Sequence, residues 1–176
     1  MNLQMVDLKG QYQRIKPEID QAIQTVIDTT AFINGPQVQR FATALSSYLG
    51  AKHVITCGNG TDALQIALMA LDLQPGDEVI VPCFTYVASA EVIALLKLKP
   101  VITEVDPNTF NITPEIFEKA ITPKTKAVIP VHLFGQTADM EGIMEVANRH
   151  HIFVIEDNAQ AIGADYTFSD GRVHSI

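Results

Sequence analysis

The chain has 176 residues, 47% of them hydrophobic and 18% charged, a balance that fits a folded globular protein and excludes a disordered one. Its net charge of -8 and sequence pI near 4.9, without any Lys/Arg run or stripe, exclude a nucleic-acid-binding surface. Residues 1–20 show no basic segment followed by an apolar run, and no stretch has the uninterrupted apolar length of a membrane helix, so a cytoplasmic protein is expected.

In chain order, Ile15, Ile19, Ala22, Ile23, Val26 and Ile27 form a helical stripe that predicts a helix over residues 11–29, with Pro17 in its first turns. A second helix is predicted over 38–49, with Phe41, Ala44, Leu45, Tyr48 and Leu49 on one face and Gly50 as its stop. From residue 53 the pattern alternates. Strands are expected at 53–57, 77–81, 99–105, 126–132 and 152–156. Helices are expected from Thr61, over 86–97, from Thr113 and over 138–149, the third opened by a Thr113 cap with Pro114 in the first position. Repeated βα units with nearly all-apolar strands predict an α/β fold, a mostly parallel sheet sandwiched by helices. The organisation reads as an N-terminal helical segment, 1–50, and an incomplete domain, 51–176. Cys57 and Cys83 sit in apolar contexts and read as reduced core residues, without metal-ligand spacing. A hairpin around Asp170-Gly171 runs into the last residues, which suggests the N-terminal part of a longer protein.

In a parallel sheet of this kind, ligands lie at the carboxyl ends of the strands. The residues expected there are Gly58-Asn59-Gly60-Thr61-Asp62, Pro82-Cys83-Phe84-Thr85-Tyr86, His132-Leu133-Phe134-Gly135-Gln136 and Asp157-Asn158-Ala159-Gln160. The first is a glycine turn opening a helix, where unpaired N–H groups and the helix dipole suit a phosphate. A well-capped turn that binds nothing is the alternative. Tyr86 reads either as a flat partner for a ring or as a helix-start aromatic packed on the core. Asp157 reads either as a carboxylate held in a poorly solvated place or as a plain cap. His132 reads as a satisfied loop histidine; Glu104, Asp106, Asp139 and Glu156 read as caps, turns or surface charge. A nicotinamide dinucleotide is disfavoured, because Ala63 stands at the third glycine position and the strand from Asp77 ends without an acidic residue. Pyridoxal phosphate (PLP) suits the set better. It needs a phosphate anchor, a flat partner, and a carboxylate that keeps its ring nitrogen protonated.

Four motifs make the resemblance specific: Gly58-Asn59-Gly60-Thr61-Asp62-Ala63-Leu64, Pro82-Cys83-Phe84-Thr85-Tyr86-Val87-Ala88-Ser89, Pro130-Val131-His132-Leu133-Phe134-Gly135-Gln136 and Glu156-Asp157-Asn158-Ala159-Gln160-Ala161. In this order, with Val6-Asp7-Leu8-Lys9-Gly10-Gln11-Tyr12 and Asn34-Gly35-Pro36, the chain resembles the DegT/DnrJ/EryC1/StrS family. These are PLP-dependent nucleotide-sugar aminotransferases of fold type I. The resemblance implies that residues 51–176 are the first part of a PLP-binding large domain. It implies that the N–H groups of Thr61 and Asp62, after Gly60, hold the phosphate. Tyr86 then stacks on the pyridine ring, Asp157 pairs with the ring nitrogen, and Gln160 contacts the phenolic oxygen. Asp157 and Gln160, three apart, would share one side of a helical turn.

The resemblance further implies transfer of an amino group, from glutamate, to a keto group of a nucleotide-linked sugar. The setting would be a homodimer making amino sugars for cell-surface polysaccharide, lipopolysaccharide included. The family's Schiff-base lysine belongs to a segment expected beyond Ile176, and none of Lys97, Lys99, Lys119, Lys124 and Lys126 has its context. The alternatives are a PLP-dependent sugar dehydratase of the same family, with histidine in the lysine's place, and a non-catalytic fragment.

Overall fold

Residues 6–176 are those described by the computed structural model of the chain; residues 1–5, the opening of the stretch read for a leader, lie outside the described residues. The chain divides into two units, Met1–Thr56 and Cys57–Ile176. In the first, α1 (Leu8–Thr29) begins where Asp7 accepts the N–H of Gly10 at 2.9 Å. That cap starts the helix earlier than the stripe suggests, so Pro17 falls inside the helix rather than in its first turns. Lacking an N–H, it leaves the carbonyl one turn back without its usual donor. Helix α2 (Pro36–Leu49) has Pro36 in its first position, and Gly50 ends it in the left-handed conformation, φ 65°. Neither helix contains a buried residue.

The strand expected at 53–57, across the boundary between the units, does not form. Residues 53–57 are irregular, and Ile55 is 82% exposed. Their β-branched, apolar composition suits a strand, but no neighbouring strand among the described residues takes up their backbone groups. Helix α3 (Gly60–Ala70) follows. Then come β1 (Glu78–Pro82), α4 (Ala88–Leu95), β2 (Lys99–Thr103), α5 (Pro114–Ala120), β3 (Thr125–Val128), α6 (Met140–His150) and β4 (Phe153–Val154). The four strands form one parallel sheet in the order β2-β1-β3-β4. A separate antiparallel hairpin, β5 (Asp165–Thr167) with β6 (Val173–Ser175), surrounds Asp170-Gly171.

Side chains on a strand alternate between faces, and here each face has its own core. Ile80 and Val128 pack with Ile112, Phe117 and Ile143 on the side of α5 and α6. Val79, Val81, Ala127 and Ile129 pack with Leu68, Val92 and Ile93 on the side of α3 and α4. The cysteines belong to neither core: Cys57 and Cys83 are both exposed, each in the irregular segment beside an element rather than within a strand. At the amino end of β1 the buried Glu78 accepts the Thr122 hydroxyl at 2.5 Å and Lys99 Nζ at 2.9 Å. Those donors, Thr122 first, hold its carboxyl below the usual carboxylate range. No helix among the described residues is long and apolar enough to cross a membrane.

Candidate active site

At the glycine turn, Asn59 caps α3: its Oδ1 accepts the N–H of Asp62 at 2.9 Å, and its Nδ2 donates to Asp62 Oδ2 at 3.0 Å. This alters the expected donor set, because the Asp62 N–H is already committed to the cap. The N–H groups of Gly60 and Thr61 have no partner among the described residues and remain at the positive end of the helix. A Cβ on Gly58 would meet Asp62 Oδ2 at 2.8 Å, so the loop closes tightly there. A Cβ on Gly60 would meet nothing within 4 Å, so the approach to the two free N–H groups is open.

The sheet positions Asp157. Beyond β4, the Ile155 N–H bonds to Val128 C=O at 3.0 Å and the Asp157 N–H to Pro130 C=O at 2.9 Å; the His132 N–H bonds to Asp157 C=O at 3.1 Å. Pro130 has no N–H, so the pairing passes it and resumes at Val131 as a single parallel bridge. The carboxylate is fixed as well. Oδ1 accepts the Ala159 N–H at 3.2 Å and Oδ2 accepts the Ser89 hydroxyl at 2.8 Å. Residues 159–163 form turns, closed by bonds such as Ala161 N–H to Asn158 C=O at 3.2 Å, where a helical turn was expected. The Asp157 side chain caps the first of them by bonding two residues ahead, which favours a turn over a helix.

Gln160 turns its carbonyl oxygen to the Phe134 N–H, at 2.8 Å. That assignment commits the acceptor half of the amide and leaves the two N–H donors uncommitted among the described residues. Phe134 itself is left-handed, φ 57°, inside a single 3-10 turn, Leu133–Gly135. Asn111 holds this loop by accepting the Leu133 N–H at 3.2 Å and donating to Gln136 C=O at 3.0 Å. Tyr86, Thr85, Phe84, Leu133, Phe134 and Gln160 line one recess of about 290 Å³. Tyr86 is 72% exposed, so it is not a core-packed aromatic. The rings of Phe84 and Phe134, which share the recess with Tyr86, cluster with that of Phe110, with centroids 5.4 to 6.4 Å apart.

His132 is fully buried and has both ring nitrogens engaged. Its Nδ1 accepts the Ala138 N–H at 3.1 Å, which puts the ring proton on Nε2, 2.9 Å from Glu156 Oε2. Glu156 is thus the partner of a buried imidazole rather than free surface charge. Asp106 and Asp139 cap local turns. Asp106 accepts the N–H groups of Asn108 and Thr109, both at 2.9 Å; Asp139 accepts the Gly142 N–H at 3.2 Å. Sequence reasoning passed over Ser89, although it stood in a quoted motif. Its only mark was a polar residue among apolar ones near the start of a predicted helix.

The DegT/DnrJ/EryC1/StrS aminotransferase family model matches residues 13–172. Over 164 residues the chain is 52% identical to the UDP-2-acetamido-2-deoxy-3-oxo-D-glucuronate aminotransferase of Pseudomonas aeruginosa, covering 93% of this chain and 46% of that protein. A DegT DnrJ EryC1 StrS aminotransferase from Brucella abortus superposes with a TM-score of 0.87 at 43% identity, covering 92% of this chain and 45% of that one. The structure of NtdA from Bacillus subtilis with bound cofactor PMP gives a TM-score of 0.81 at 41% identity, covering 84% and 34%. The chain therefore spans less than half the length of these relatives. With a match over nearly its whole length and its parallel sheet shared with such structures, the chain belongs to the DegT/DnrJ/EryC1/StrS aminotransferase family.

Proposed function

We propose that the full-length protein is a PLP-dependent aminotransferase that moves an amino group, with glutamate as donor, to the keto group of a nucleotide-linked sugar. The observation that carries this is Asp157: a carboxylate beyond the carboxyl end of β4, pinned through its backbone and through both oxygens. The residues present fit the cofactor. Gly60 and Thr61 offer two free N–H groups to a phosphate behind an open approach. Gln160 offers N–H donors to a phenolic oxygen, and Tyr86 offers an exposed ring to a planar one.

When bound, PLP supplies an electron sink for the carbon that loses its proton. The chain's own residues do the rest. Asp157 holds a proton on the ring nitrogen by charge pairing. Gln160 orients the phenolic oxygen, Tyr86 covers one ring face against water, and the α3 turn anchors the phosphate. Residues 51–176 are then the first part of the cofactor-binding domain and 1–50 a helical lead-in. The lysine that moves the substrate proton is supplied from outside these 176 residues. We place the enzyme as a homodimer in the cytoplasm, making amino sugars for cell-surface polysaccharide, lipopolysaccharide among them. The relative that acts on a UDP-linked keto sugar supports the substrate class.

The test is Asp157→Asn in the full-length protein. Transamination of a UDP-linked keto sugar with glutamate should fall on the order of a hundredfold, as when one preorganised charge is removed from a site. Wild-type turnover in that variant would overturn the reading. Borohydride reduction of this 176-residue chain with PLP should leave no cofactor attached. Its attachment to one lysine here would overturn the role given to a lysine outside it.

A further inference from the structure

Serines and threonines within helices commonly turn their hydroxyls back on their own helix. α1 does so: Thr25 donates to Gln21 C=O at 2.7 Å and Thr29 to Thr25 C=O at 2.8 Å. Ser89, in the first turn of α4, does not. It is fully buried, and its hydroxyl leaves the helix to reach Asp157 Oδ2 at 2.8 Å. With its only proton on that bond, Ser89 Oγ accepts from Thr85 Oγ1 at 3.2 Å. The order is therefore Thr85 to Ser89 to Asp157, a chain in which each hydroxyl orients the next. The backbone of the same serine donates to Tyr86 C=O at 3.3 Å. One residue thus binds the loop that carries the aromatic ring to the carboxylate after the last strand of the sheet.

We infer that Ser89 is a positioning residue of the cofactor site, aligned by Thr85, which fixes the plane of the Asp157 carboxylate and its placement relative to Tyr86. The inference rests on the aminotransferase reading above. A buried hydroxyl needs a partner, and an apolar residue would fill this helix position without that need. The hydroxyl also leaves Asp157 Oδ1 and Oδ2 each with one protein donor. The carboxylate is then restrained at both oxygens while keeping lone pairs for a further N–H. Without Ser89, Oδ2 loses its protein donor and the carboxylate can rotate about the bond that sets its plane.

The experiment compares wild type, Asp157→Asn, Ser89→Ala and Thr85→Val in the full-length protein. It measures PLP affinity of the apoenzyme, the pH at which the bound cofactor's visible band changes, and kcat and KM. Ser89→Ala should weaken PLP about tenfold, the size of one hydrogen bond to a charged group. It should also move the pH of the band change and lower kcat with KM for the nucleotide sugar unchanged. Thr85→Val should act in the same direction by less. If Ser89→Ala does not fold, Thr85→Val decides on the same readouts. Wild-type affinity and band pH in these variants, with both altered in Asp157→Asn, would overturn the role of Ser89 and leave the aminotransferase reading standing. Weaker binding with an unmoved band would mark a merely structural serine and overturn the role as well. No PLP binding by wild type, or unchanged binding and turnover in Asp157→Asn, would overturn the aminotransferase reading itself.

Discussion

Ile143 of α6 and Ile23 of α1 are the same residue on helices with clear apolar stripes, yet they are 0% and 55% exposed. In the unit Cys57–Ile176 a parallel sheet gives each helix a flat apolar partner, and both faces of the sheet are filled. In the unit Met1–Thr56, α1 and α2 each show an apolar side and contain no buried residue. A helical stripe thus reports that a surface wants cover; it does not say whether the same stretch of chain supplies it. Periodicity is a local property, whereas burial needs a second element at the right distance.

Removing a large side chain from the sheet unit sharpens this contrast most. Phe117→Ala, at a fully buried position between α5 and the sheet, should cost about 3–5 kcal/mol in urea unfolding. A loss under about 1 kcal/mol would mean that this core is loosely filled. Next comes Thr122→Val, which strips the hydroxyl from buried Glu78 and should cost about 1–3 kcal/mol. It should also flatten the acid dependence of stability. The Glu78 carboxyl is held below its ordinary value, so its contribution is complete above the unfolded value of about 4.3 and is lost as pH falls through the lower folded one. The urea midpoint of wild type should drop more steeply than that of Thr122→Val as pH falls below about 4.3; equal slopes would show that another group governs the acid limb. The smallest effect belongs to α1. Ile23→Ala should change stability by less than about 0.5 kcal/mol in this chain, because alanine favours the helix and little surface is lost from cover. A cost near that of Phe117→Ala would break the contrast by revealing that the stripe is covered.

The alternation of elements was legible because β1, β2 and β3 are short and each is followed by a helical period, and the caps at Thr113 and Gly50 lie where the residue types demand. The run at 53–57 misled because β-branched composition describes a strand's fitness and not the presence of its neighbour. Pro17 misled because the Asp7 cap, a single side-chain bond, starts α1 earlier than the stripe. Within the site, the place of Asp157 after an apolar run marked it as a candidate, whereas Gln160 stood out only through the resemblance. The commitment of the Asp62 N–H to Asn59 was not legible, since a cap and a phosphate cradle draw on the same N–H groups. The His132–Glu156 pair and the Ser89–Asp157 bond link residues 24 and 68 positions apart. Only the order of strands in the sheet brings such partners together, and no spacing rule in the chain encodes them.

That last separation also sets a timetable. During synthesis at roughly 5–20 residues per second, the interval between making Ser89 and making Asp157 is about 3–14 s for a gap of 68 residues. Throughout it the Asp157 carboxylate that the serine hydroxyl meets in the folded chain does not yet exist. β1 and β2 can already pair across their short connection, so a nascent sheet exists before the site does. Competence to hold a cofactor is then among the last properties this part of the polypeptide acquires on the ribosome, well after it can begin to collapse.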